Sequence, residues 1–134
     1  MKTMILFLAA FVLFILLDLF WFSFMGSFFK AELGSILRLH PDGSWNIRLW
    51  AGVLTYVVLA IGVMIFVLPQ AHSLPQALLY GALLGFVSYA VYDLTNMATL
   101  SGWTLRFLLV DIFWGTSATA LVSLGVKWIA KLTG

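Results

Sequence analysis

The chain has 134 residues, of which 63% are hydrophobic and only 9% are charged, and its formal net charge is +2. Soluble domains contain about 45–50% apolar and about 25% charged residues, so this composition excludes an ordinary soluble enzyme domain and indicates a membrane protein. The small net charge gives no reason to expect nucleic-acid binding, and the absence of cysteine excludes disulfides, thiolate catalysis and cysteine-ligated metals.

Four apolar segments are long enough to cross a bilayer, which takes about 20 residues of α-helix. The first follows Lys2, as in a secretory signal peptide, but it is too long for one, contains Asp18 and lacks a cleavage site. The predicted helices cover residues 4–28, 49–68, 76–97 and 104–126, with a polar loop over 29–48. Lipid permits only helices or closed barrels, and these segments are too long for barrel strands. We therefore predict a single all-α domain, an up-and-down bundle of four transmembrane helices.

The connections after the second and third helices are short, over residues 69–75 and 100–103. Short connections favour antiparallel neighbours, so the second helix is expected to pair with the third, and the third with the fourth. Gly81 and Gly85 form a pair of small residues one turn apart in the third helix, which is typical of close helix packing in membranes.

Three aspartates lie inside the predicted spans: Asp18, Asp93 and Asp111. Each carboxylate at the centre of a spanning helix costs roughly 2.5–3.5 kcal/mol on insertion scales. At 1.5 Å per residue from the middle of each span, the three lie about 3, 10 and 6 Å toward the face that carries the long loop. This shared depth predicts that their side chains face one another, or a common partner, inside the bundle.

Helical spacing places further polar and aromatic side chains beside the acids and predicts an aromatic-walled acidic pocket, to which Tyr56 of the second helix can contribute. The candidate residues for ligand binding or for handling a proton or cation are Asp18, Trp21, Tyr89, Tyr92, Asp93, Asn96, Arg106, Asp111 and Trp114. The alternative is structural: the aspartates bond indole and backbone groups and hold the helices together.

Arg106 is the only basic residue near these acids, and one cation cannot neutralise three carboxylates. Either one or more aspartates carry a proton, or a bound cation or basic substrate balances the charge, or the cavity contains water. Arg106 itself is explained most simply by its side chain reaching the lipid headgroups. Four tryptophans are expected to be interfacial anchors, namely Trp45, Trp50, Trp103 and Trp128.

The sequence contains no Gly-rich nucleotide loop, no paired histidine or glutamate–histidine metal motif and no Ser-His-Asp set. We predict no metal site, because an all-oxygen cation site would need a convergence of the acids that their spacing does not establish. The sequence identifies no cofactor and no catalytic residue, and it leaves open whether the protein is an enzyme.

Two stretches and the first helix resemble the bacterial membrane-protein family catalogued as domain of unknown function 2177. The stretches are Tyr92-Asp93-Leu94-Thr95-Asn96-Met97-Ala98-Thr99-Leu100-Ser101-Gly102-Trp103 and Leu109-Val110-Asp111-Ile112-Phe113-Trp114-Gly115-Thr116. Asp18, Trp21 and the segment Glu32-Leu33-Gly34 fit as well, whereas Phe113 stands where a smaller residue is expected. The resemblance covers essentially the whole chain and implies a multi-pass protein of the bacterial inner membrane. It implies no activity.

Three classes of function fit these observations. The aromatic walls, and the position of all three acids toward one membrane face, favour a pocket that binds or processes a small amphipathic or lipid-like molecule, with membrane lipids as partners. A proton- or cation-coupled transporter working as a homodimer is the second class, and an accessory subunit without chemistry of its own is the third. A path to the second membrane face would favour transport, and a closed lateral cavity would favour lipid binding. The basic residues divide four to three between the two faces, so they do not determine the orientation.

Overall fold

The computed structural model describes all 134 residues, and its regular secondary structure is entirely helical. The helices are α1 (Lys2–Leu33), α2 (Leu49–Gly62), α3 (Leu74–Thr99) and α4 (Leu105–Leu132), and a π-helical segment (Val63–Val67) continues α2. With α2 and its π-helical continuation counted as one span of 19 residues, all four are long and apolar enough to cross a membrane. The predicted all-α membrane bundle is confirmed.

The helices differ from the predicted spans mainly at their ends. α1 continues to Leu33 and α4 to Leu132, so the connection after α1 covers residues 34–48 rather than 29–48. Hydropathy marks only the part of a helix that lies in hydrocarbon, whereas Lys30 and Glu32 are good helix formers that extend α1 past it.

The starts of α3 and α4 are set by side-chain caps. Ser73 accepts a hydrogen bond from the Gln76 N–H, and Thr104 accepts one from the Phe107 N–H.

The largest helix interface joins α3 and α4, and α4 also packs against α1, which makes α4 the most buried helix. Gly81 of α3 lies against Ser123, and Gly85 lies against the backbone of Gly115, so closely that a Cβ at either position would overlap α4. The small residues thus allow the two backbones to approach, as the sequence pattern indicates.

α2 diverges from α3. The helix proper packs against α1, whereas the π-helical segment Val63–Val67 is the part that packs on α3. Helices two and three therefore pair only near their connecting turn and separate toward the opposite face. The predicted pairing of the second and third helices is thus limited to their joined ends, because a short turn constrains only the helix ends that it connects. Where they separate, residues of both helices, among them Tyr56 and Tyr92, line a common cavity.

Two apolar clusters fill the ends of the bundle. The cluster at the end of the α2–α3 turn consists of Leu6, Ala10, Phe14, Ala60, Val63, Val67, Val122 and Val126. The cluster at the end of the long loop consists of Phe29, Leu33, Trp103, Phe107 and Leu108. Asp18 and Asp111 lie between the two clusters along α1 and α4, so the acids occupy the middle of the bundle.

Candidate functional site

Asp18 of α1 connects three helices through its two carboxylate oxygens. Oδ2 accepts a hydrogen bond of 2.8 Å from the Tyr56 hydroxyl of α2, and Oδ1 accepts one of 2.9 Å from Trp114 Nε1 of α4. Trp21 stacks on Trp114, with ring centroids 4.3 Å apart and planes 7° from parallel. The stacking holds the Trp114 indole in the orientation from which it donates to Asp18.

Asp93 and Asp111 form a buried carboxyl pair between α3 and α4. Asp93 is fully buried, and Asp111 is only 9% exposed. Asp93 Oδ1 accepts a hydrogen bond of 3.2 Å from Trp103 Nε1. Its Oδ2 is buried without an N–H or hydroxyl donor, and the carboxyl group of Asp111 lies within hydrogen-bonding reach of the Asp93 side chain. Ionised carboxylates only accept hydrogen bonds, so a bond between these two requires the pair to hold a proton.

The remaining predicted polar residues of α3 lie around this pair. Tyr89 is close to Asp18, Asp93, Asp111 and Tyr56, and its ring covers Gly115 of α4. Tyr92 and Asn96 are neighbours, one turn apart. The four helices thus bring the predicted acids and aromatics together, although no group of three or more His, Asp or Glu side chains could hold a metal ion.

A cavity of about 970 Å³ opens beside the acids. It is lined by 21 residues, of which 16 are hydrophobic, and along α1 it extends from Ile15 to Leu33, about 27 Å of helix. Its polar lining in the middle of the bundle comes from Asp18, Tyr56, Tyr92, Asn96 and Asp111. The cavity is therefore long and apolar, with an acidic group of side chains in its deep part.

The connection 34–48 folds over the loop end of this cavity. Leu39 and Trp45 form a single antiparallel bridge around the turn, and Lys30 Nζ donates a 2.7 Å hydrogen bond to the Gly43 carbonyl. At the exposed tip, the hydroxyl and backbone N–H of Ser44 donate to Asp42 and hold the pKa of that carboxyl below its usual value. The loop residues that line the cavity are Ile36, Leu37, Arg38, Trp45 and Ile47.

Arg106 does not join the acids. Its side chain is 77% exposed and lies 3.4 Å from Glu32, which also accepts a 2.6 Å hydrogen bond from the Thr104 hydroxyl. Arg106 is five residues from Asp111 and therefore faces another side of α4. It is the only predicted site residue that the structure separates from the cluster, so the acids have no arginine or lysine counter-charge.

Trp103 was expected to be an interfacial anchor, and this prediction was wrong. It is 8% exposed and donates to Asp93, because the turn after Thr99 reverses the chain and folds the indole back over the end of α3. Trp45 is also partly buried, and it lines the cavity. Trp50 and Trp128 are exposed, as anchors would be. The sequence signal for Trp103 was its place just after the turn that follows Asp93.

We expect Trp103→Phe to destabilise the protein by about 1–3 kcal/mol, because Phe keeps the ring packing but leaves Asp93 Oδ1 buried without a donor. Thermal unfolding in detergent would measure the effect. Trp128→Phe is the matched control, since Trp128 is exposed and forms no side-chain hydrogen bond. Equal melting temperatures for the two variants would contradict the role assigned to the Trp103 indole.

The comparisons with known proteins place the chain in a family. No curated protein and no solved structure matches it. The family model described as "Predicted membrane protein (DUF2177)" matches residues 3–128, a range that includes all the residues of the acidic cluster and the cavity. The chain therefore belongs to the DUF2177 family of predicted membrane proteins.

Proposed function

We propose that this multi-pass membrane protein binds or processes a small amphipathic or lipid-like molecule in the cavity, and that it does so in the bacterial inner membrane. The observation that carries the proposal is the composition of the cavity wall. The wall is apolar over most of its length and presents Asp18, Tyr56 and Asp111 in its deep part. A molecule with one polar group and an apolar chain matches this distribution.

The size and opening of the cavity support the same proposal. Pockets for small molecules typically measure about 300–1,000 Å³ and combine apolar walls with a few placed polar groups. A volume of about 970 Å³ lies at the upper end of this range. Tyr56 of α2 and Tyr92 of α3 line the cavity from two helices that separate there, so we expect an amphipathic molecule to enter between them without leaving the membrane.

Proton- or cation-coupled transport by a dimer has less support. Transport needs a path from the acids to the second membrane face. On that side of Asp18 and Asp111, the space between the helices is occupied by the apolar cluster that includes Phe14, Val63 and Val122. An accessory subunit without its own chemistry would not need carboxyl groups that face a cavity.

Gly52 of α2 offers a way to test occupancy. It lines the cavity, and a Cβ added there would meet no atom within 4 Å, so a larger side chain would grow into the empty space. We expect Gly52→Phe to reduce the amount of lipid or other amphiphile that co-purifies with the protein by about tenfold, which corresponds to about 1.4 kcal/mol. Mass spectrometry of the purified protein in mild detergent would quantify the bound molecule.

Val58→Phe is the matched control, because Val58 is an exposed residue of the same helix that does not line the cavity. It adds the same ring on the outer side of α2 and should leave co-purification unchanged. Equal retention of bound molecules by wild type and both variants would rule out this cavity as the binding site.

A further inference from the structure

The charges around the deep part of the cavity are unbalanced. Carboxyl groups line it from α1 and α4, hydroxyl groups line it from α2 and α3, and a further carboxyl and a further hydroxyl of α3 lie behind them. These groups are Asp18, Asp93, Asp111, Tyr56, Tyr89 and Tyr92. Of the basic residues, Arg38 lines the cavity at its loop end, Arg106 pairs with Glu32, and Lys30 bonds the Gly43 carbonyl. No positive side chain contacts the acids.

Asp111 is the acid whose hydrogen bonding is least complete. Asp18 accepts from Tyr56 and Trp114, and Asp93 accepts from Trp103. Asp111 is nine-tenths buried, lines the cavity and has the carboxyl group of Asp93 as its side-chain partner. Its free acceptor capacity therefore faces the space that a ligand would occupy, and that space also borders Asp18.

An ammonium group has the chemistry that this space lacks, because it carries a positive charge and three hydrogen-bond donors. A phosphate or carboxylate would be repelled by the acids, and a hydroxyl would leave their charge uncompensated. A positive charge beside Asp111 also favours full ionisation of the Asp93–Asp111 pair, because an opposite charge nearby stabilises the charged form of a carboxyl.

We infer that the polar group of the ligand is a protonated amine that binds between Asp18 and Asp111, and that its binding expels the proton shared by Asp111 and Asp93. The inference rests on the proposed function and names its ligand class. The proton balance is simple: the amine enters as R–NH₃⁺ and keeps its charge, the carboxyl pair loses one proton, and that proton passes to solvent. No other bond forms or breaks.

The test uses dodecylamine as the probe and isothermal titration calorimetry of the full chain in maltoside micelles at pH 7. Dodecanol and dodecyl phosphate are the neutral and anionic comparators of equal chain length. We expect dodecylamine to bind at least about tenfold more tightly than either. Titrations in phosphate and in Tris buffer, which differ in ionisation enthalpy, should show release of up to about one proton per bound amine. An alkylamine is already protonated at this pH, like lysine with its pKa of about 10.4, so the amine alone exchanges no proton.

Asp93→Asn is the decisive variant. The Asn side chain can accept from Trp103 and donate to Asp111, so it replaces the shared proton with a permanent donor. Proton release should fall to about zero in this variant. Asp42→Asn removes the same kind of carboxyl at the exposed loop tip and should release as many protons as wild type. If Asp93→Asn does not fold, the same titrations of the wild-type protein at several pH values decide. The number of protons released per bound amine must decline at high pH, where the Asp93–Asp111 pair has already lost its proton.

The possible failures can be told apart. If the three probes bind with equal affinity, the amine assignment is overturned and the proposed function survives. If dodecylamine binds selectively but releases no proton, the coupling to the Asp93–Asp111 pair is overturned. If no probe binds, and Gly52→Phe also has no effect on co-purified molecules, the proposed function itself fails.

Discussion

Replacing Gly115 with alanine is expected to destabilise the bundle by about 3 kcal/mol, at the upper end of the range for overpacked cores. The Cβ of an alanine at this position would overlap the ring of Tyr89. Tyr89 has little room to move, because it lies among Asp18, Asp93 and Asp111 in the tightest helix interface of the protein. Thermal unfolding in detergent, followed by circular dichroism, would show the loss as a lower melting temperature.

Gly26→Ala is the control for this prediction. Gly26 also lies within a helix, but its nearest neighbour would be Trp45 Nε1 at 3.9 Å from the new Cβ, which is an ordinary contact. The free energy of unfolding of the Gly26→Ala variant should stay within about 1 kcal/mol of the wild-type value. The double variant Gly115→Ala, Tyr89→Ala should be less unstable than the sum of the single variants, because the second change removes the obstacle. Strict additivity would contradict the proposed overlap.

Asp18→Ala is expected to impair both stability and ligand binding. The Tyr56 hydroxyl and the Trp114 indole N–H would each lose their acceptor. Each of these donors that water does not reach would lower the free energy of unfolding by about 1–3 kcal/mol. Binding of dodecylamine should weaken by about 30-fold or more, because a hydrogen bond to a charged group contributes about 2 kcal/mol. Melting curves and titration calorimetry on the same preparation would measure both effects.

Asp18→Asn separates the two roles of this residue. Asn keeps the volume and one acceptor, so it should retain more of the stability than Ala does. It removes the negative charge, so it should weaken dodecylamine binding nearly as much as Ala does. Binding of dodecylamine to Asp18→Asn with wild-type affinity would mean that Asp18 only joins the helices.

The sequence alone predicted the part of this structure that depends on the membrane. Apolar segments of sufficient length must be helices in lipid, and the up-and-down order of the helices gave Asp18, Asp93 and Asp111 a common depth. The depth of a residue in the membrane depends only on residue counts along its helix. Asp18 and Asp111 could therefore be placed together, although they are far apart in the sequence, without knowledge of side-chain contacts. The aromatic neighbours Trp21 and Trp114 followed from helical spacing.

Contacts between distant segments could not be predicted in this way. The bond from Tyr56 to Asp18 depends on the tilt of α2 away from α3, and the contact of Glu32 with Arg106 depends on the extra turn of α1. Hydropathy contains no information on either. Trp103 was misassigned because tryptophans near the ends of spans are usually anchors, and only the fold of its turn shows that Asp93 needs its N–H.

The π-helical segment Val63–Val67 sets the rotational phase of α2. A π-helical turn accommodates one residue more than an α-helical turn, so it acts as a one-residue insertion in an otherwise regular helix. One residue corresponds to about 100° of rotation about the helix axis. Val63–Val67 is packed on α3, so this rotation continues into the part of α2 that packs on α1, where Tyr56 points toward Asp18 rather than toward lipid. The direction of Tyr56 in the cavity wall therefore depends on the π-helical segment about two turns further along the helix, as well as on its own hydrogen bond to Asp18.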